Sequence, residues 1–162
     1  MAGFVRYLLA GIGIAVLALT GAMAIGIYTL PIGEIPAINF KTLTLTEKPN
    51  QYLVCPPGIC TAESQRPSPS YGMSVDELRL RWRHQLSNMP GLSQISTQPD
   101  GWQFTYLERS QFMGFPDLIT IRFIPTNERT SAIAIYSRSI YGYSDLGVNR
   151  DRIENWLAAF AK

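Results

Sequence analysis

The sequence predicts an α+β protein: a single N-terminal transmembrane helix, then a small domain of about four antiparallel strands with two helices packed on the sheet. Three observations predict it. No charged side chain occurs from Tyr7 to Gly33. Two amphipathic helical patterns, at residues 75–89 and 149–160, bracket the rest of the chain. Between them lie segments that alternate apolar and polar residues, the period of a half-buried strand. The expected organisation is an anchor at 1–33, a Pro-rich linker at 34–73 carrying a Cys55–Cys60 loop, and an α+β domain at 74–162.

Composition narrows the function classes. Of 162 residues, 16% are charged, against about 25% in an ordinary soluble domain, and the deficit is confined to the apolar run. A formal charge of +2 is too small for a nucleic-acid face. One histidine and two cysteines leave little for zinc or His-based catalysis, so no metal or cofactor is expected.

The run from Tyr7 to Tyr28 is apolar and helix-compatible. A bilayer core of about 30 Å takes roughly 20 residues at 1.5 Å each. Phe4, Tyr7 and Tyr28 lie at its ends, where interfacial aromatics collect, and Pro31 stops the helix. Arg6 precedes the run and Glu34 follows it, which places the N-terminus in the cytoplasm; Lys41 and Lys48 oppose this weakly. A cleaved signal peptide competes, because Ala22-Met23-Ala24 has the small-x-small form of a cleavage site. The run nevertheless continues to Leu30, longer than the roughly 7–15 residues of a signal h-region, and this favours the anchor. Ala18, Ala22 and Gly26 form a small-xxx-small stripe, a candidate helix-packing face, although such residues are common in any membrane helix.

Pro31, Pro36, Pro49, Pro56, Pro57, Pro67 and Pro69 exclude a long helix between 31 and 74. Thr42 to Thr46 alternates, as a short strand does. Cys55-Pro-Pro-Gly-Ile-Cys60 admits three readings. A metal site lacks two further ligands. A redox site favours C-x-x-C before a helix. A structural disulfide suits an oxidising compartment, with Gly58 permitting the reversal, and is the favoured reading.

In the folded domain, Ser74 and Glu77 have capping-box spacing. Val75, Leu78, Trp82, Leu86 and Met89 then make one apolar helix face, and Pro90-Gly91 ends it. Arg79 and Arg83 flank this face and read as solvated surface in preference to an anion site. Strands are expected at Leu92–Thr97, Trp102–Tyr106, Leu118–Ile124 and Ser131–Ser139, the last two forming a hairpin. Asn149 is the expected N-cap of the last helix, with Asp151 in its first turn; Ile153, Trp156, Leu157 and Phe160 form its apolar stripe.

The segment Tyr136-Ser-Arg-Ser-Ile-Tyr-Gly-Tyr-Ser-Asp-Leu-Gly-Val-Asn-Arg150, followed by Ile153 and Trp156-Leu157, resembles the C-terminal signature of the domain of unknown function 1499 family. Asn50 to Gly58, Arg109-Ser110, Phe115-Pro116-Asp117 and Arg122-Phe123 resemble its proteobacterial, membrane-anchored form, and the resemblance covers about residues 49–160. It implies a bacterial or plastid protein, often membrane-associated, and brings no established activity.

Physically, Gly142 and Gly147 permit turns with positive φ, and Asp145 can accept backbone N–H groups of its own loop. A functional alternative gathers Arg109, Asp117, Arg122, Arg138 and Asp145 into a polar pocket, where two arginines on neighbouring strands hold a carboxylate or phosphate. No catalytic residues are assigned: no G-x-S-x-G elbow or nucleophile–base pair occurs. The expectation is a non-enzymatic accessory or structural subunit of a larger membrane protein complex. Its N-terminal helix would touch lipid and other subunits, and its domain would lie in the periplasm, outside a bacterial inner membrane. The alternative is a binder of small anions or lipid head groups.

Overall fold

A computed structural model describes residues 2–28, 30–110 and 113–161, and within the first helix the side chains of residues 5–7 and 9–21. The elements are α1 (Ala2–Tyr28), β1 (Gln51–Cys55), β2 (Arg66–Pro67), β3 (Ser70–Tyr71), α2 (Val75–Ser87), β4 (Leu92–Thr97), β5 (Gln103–Arg109), β6 (Pro116–Pro125), β7 (Ser131–Ser139) and α3 (Val148–Phe160).

The first correction concerns α1. A helix forms where the apolar run predicts one, but among the described residues no helix is long and apolar enough to cross a membrane. The transmembrane expectation is therefore not supported. Ala18 is exposed on α1, while the side chains of Phe4, Ala22, Gly26 and Tyr28 lie outside the described residues.

The second correction concerns the sheet. It has seven strands, not four, and is mixed rather than antiparallel, with the order β2-β1-β7-β6-β5-β4 and β3 paired to β7. The four expected strands form its β4–β7 meander. The other three come from the Pro-rich stretch: β1 pairs antiparallel with β7 and parallel with β2. Residues 42–46 form no strand. β6 and β7 lie centrally and are buried along most of their length on both faces, so they read as near-continuous apolar runs.

Both faces are covered, by different means. On one, Leu78, Trp82 and Leu86 of α2 and Ile153, Trp156 and Leu157 of α3 pack on Tyr52, Val54, Phe104, Tyr106, Ile119, Ile121, Phe123, Ile133 and Ile135. Trp82 stacks on Phe160 at 5.0 Å between centroids. On the other face, residues 30–50 run as a strap. Phe40, with Ile38, Leu43 and Leu45, packs over Leu53, Ala134 and Tyr136. Backbone oxygens tie the strap down: Gln103 Nε2 donates to Ile38 O at 2.8 Å and Arg109 Nη2 to Leu30 O at 3.0 Å.

Local signals decide the helix starts. The Ser74 side chain accepts from Glu77 N at 3.3 Å, as the capping box predicts. At α3 the N-cap is Gly147, at φ +86°, not Asn149. Asp145 does the capping instead, accepting from Gly147 N at 3.0 Å and Asn149 N at 2.7 Å.

Candidate functional site at the loop end of the sheet

Strand parity separates the residues expected to form one pocket. Gln103, Thr105 and Arg109 of β5, Arg122 of β6 and Arg138 of β7 lie on the strap face, whereas Asp117 lies on the helix face. Arg138 is opposite Leu118, four residues along β6 from Arg122. The two guanidinium groups are therefore rooted about 13 Å apart and do not converge on one carboxylate. Each arginine has its own local partner. Arg109 holds Gly114 O and Leu30 O, both at 3.0 Å. Arg122 pairs with Asp100 at 2.7 Å. Arg138 lies over the Tyr136 ring, 5.3 Å from its centroid.

Asp117 and Asp145 do come together, at the end of the sheet where β7 leads into α3. Two residues not expected there organise them. Arg152 places Nη2 2.6 Å from Asp117 Oδ2 and Nε 2.5 Å from Glu108 Oε2; the side chains of Arg152 and Asp117 are each only 8% exposed. Its Nη1 donates to Asn149 Oδ1 at 2.6 Å and Ser137 Oγ at 3.1 Å. Asn149 is fully buried. Its Oδ1 also accepts from Ser137 Oγ at 2.5 Å, and its Nδ2 faces Asp145 Oδ2 at 2.7 Å, Ser139 Oγ at 3.0 Å and Asn50 O at 3.2 Å. Helical spacing carried the signal for this cluster. Asn149, Arg152 and Trp156 follow at steps of three and four beside the apolar stripe, so one flank of α3 brings an amide and a guanidinium to the sheet.

This network fixes the loop above it. The loop lines a hollow of about 240 Å³ with Phe115, Tyr141, Leu146 and Val148 at its walls and Asp117, Ser139 and Asp145 in its floor. Leu146 is 92% exposed and has φ +56°, the left-handed region that costs a side-chain-bearing residue about 1–2 kcal/mol. Met113, Phe115, Tyr143 and Val148 are exposed around it. Asp145 is bonded through both oxygens and Asp117 through Oδ2, so the hollow offers apolar contact above a polar base already engaged in the network.

Elsewhere, Cys55 and Cys60 form the expected disulfide. Among the described residues, no group of His, Cys, Asp and Glu side chains is placed to hold a metal ion.

A family model described as a protein of unknown function (DUF1499) matches residues 44–160. The chain belongs to the DUF1499 family. The signature residues Asp145, Gly147 and Asn149 are the ones that cap α3 and anchor its loop. No curated protein and no solved structure matches the chain.

Proposed function

We propose that this DUF1499 protein is a non-catalytic accessory domain whose loop end docks onto an apolar groove of a partner protein. The observation that carries the reading is Leu146. An exposed leucine gains nothing in the free chain, and left-handed backbone at a non-glycine residue is retained where the surroundings impose it and function uses it. Burying such a side chain in a partner contributes about 1.5–3 kcal/mol. The neighbouring Phe115, Tyr143 and Val148 widen the contact into a patch of the kind that marks interaction sites. The exposed apolar side chains of α1, among them Leu9, Ile14, Leu17 and Leu19, also call for a partner surface. The disulfide supports an extracytoplasmic, oxidising compartment for the domain.

The test is purification of tagged wild type and Leu146→Asp from the native source under mild conditions, with co-purifying chains quantified by mass spectrometry. The reading expects a near-stoichiometric partner with wild type, depleted at least about ten-fold with an equally folded Leu146→Asp. A wild-type chain that elutes alone or only with copies of itself, or a variant that keeps the partner, refutes it.

A further inference from the structure

The strap face holds a second hollow, on the opposite side of the sheet from the helices. About 610 Å³ lies between the strap and the β5–β6 pair, with Ile38, Lys41, Ile59, Trp102, Arg122 and Ile124 among its walls. That size falls within the roughly 300–1,000 Å³ of small-molecule sites, which are mostly apolar with a few placed polar groups. The floor is fixed. Gln103, buried, is spent on Ile38 O and holds the strap at its distance from β5.

Charge selects the ligand class. Lys41 and Arg122 are the charged residues that line the hollow, and Asp100 stands beside Arg122 with Oδ2 2.7 Å from Nη1. The Trp102 backbone N–H and the Arg122 guanidinium hold the Asp100 carboxyl below its usual range, so it stays ionised and neutralises one cation. One positive charge is left. Arg122 has five N–H donors and is half-buried, so donors remain after Asp100 is served. The isoleucines, with Phe40, give an apolar wall beside these cations.

We propose that this hollow binds a monoanionic amphiphile, a single carboxylate on an aliphatic chain, with its head between Arg122 and Lys41 and its chain along Ile38, Ile59 and Ile124. The site is independent of the docking loop.

Decanoate is titrated into the full chain by isothermal titration calorimetry, beside decanol, acetate and inorganic phosphate. The expected result is a saturable change with decanoate and a Kd below about 1 mM. Arg122→Gln weakens it at least about ten-fold, the size of one charge-assisted hydrogen bond. Ala37→Trp, at an exposed strap position on the rim, blocks it, and Lys41→Gln weakens it; both carry the test should Arg122→Gln unfold. Decanol binding as tightly as decanoate removes the role of charge, and acetate or phosphate matching it removes the role of the walls. Either result overturns the proposal, as does the absence of saturation or a folded Arg122→Gln that binds like wild type.

Discussion

Arg152→Met is the perturbation that most directly tests how the loop end is built. The substitution keeps the length of the side chain and removes its charge. It leaves the Asp117 carboxylate, 8% exposed, without the guanidinium that faces it at 2.6 Å. Breaking a buried pair by deleting one partner costs about 3–5 kcal/mol, because the remaining charge is uncompensated. Glu108 is 31% exposed as a side chain, although the Oε2 that faces Arg152 is buried, so its loss adds about 1 kcal/mol at most. The bonds to Ser137 and Asn149 are worth about 1 kcal/mol each and are partly replaced. A total near 4 kcal/mol is therefore expected, out of the roughly 5–15 kcal/mol of a domain this size. In urea, with a slope of about 2 kcal/mol/M, the midpoint falls by about 2 M. The assay is equilibrium unfolding of wild type, Arg152→Met, Asp117→Leu and the double variant. The double variant should recover most of the loss, since no unpaired charge then remains. A loss below about 1 kcal/mol in Arg152→Met, or a double variant with the two single losses simply added, refutes the reasoning.

The remaining predictions are smaller in scope. Replacing Leu146 by Gly should raise stability by about 0.5–1 kcal/mol, because the relieved backbone strain exceeds the entropy that glycine adds to the unfolded chain; the same variant should lose the partner in the purification described above. Replacing both Cys55 and Cys60 by Ser should lower stability by about 2 kcal/mol, the chain-entropy value for so short a loop, and thermal unfolding with and without reductant checks it. Burial pushes the Tyr71 hydroxyl up to about 12 from 10.0, so its contribution is fully present below pH 10 and is lost as pH rises towards 12. Urea midpoints measured across that window should fall more steeply for wild type than for Tyr71→Phe.

The legible parts of the fold were those with long periodic patterns or strong local chemistry. The Val75–Leu86 face and the α3 stripe repeat often enough to declare a period, the Ser74 cap is strong local chemistry, and Ser131–Ser139 is a long β-branched and apolar run. β1 was hidden because Tyr52-Leu53-Val54 is short, lies between prolines and is buried on both sides, so it shows no alternation. β2 and β3 have two residues each and exist only through their neighbours. The strap was hidden for the same reason: its order comes from Gln103 and Arg109, far away in sequence.

At the site, Asp117 and Asp145 were visible as acids, but not Arg152, the residue that buries Asp117. The grouping of Arg122 with Arg138 ignored their position along the strands; residues on one face can still lie a strand-length apart. The displaced N-cap has a related cause. Asn149 has the right chemistry for a cap, yet its amide is consumed in joining β7 to α3, so Asp145 takes over the capping from the preceding turn.

The tie between Arg109 and Leu30 O has a partner in Tyr141, whose hydroxyl donates to Pro31 O at 2.6 Å. Tyr141 also walls the loop-end hollow. The chain is thus moored at Leu30 and Pro31, two and three residues after Tyr28 in sequence, beside the loop-end hollow. Any surface that grips α1 meets the loop as an intramolecular event, at an effective concentration of about millimolar for so short a tether. Two weak grips then multiply instead of merely adding, and releasing the mooring would weaken both without altering a single contact residue.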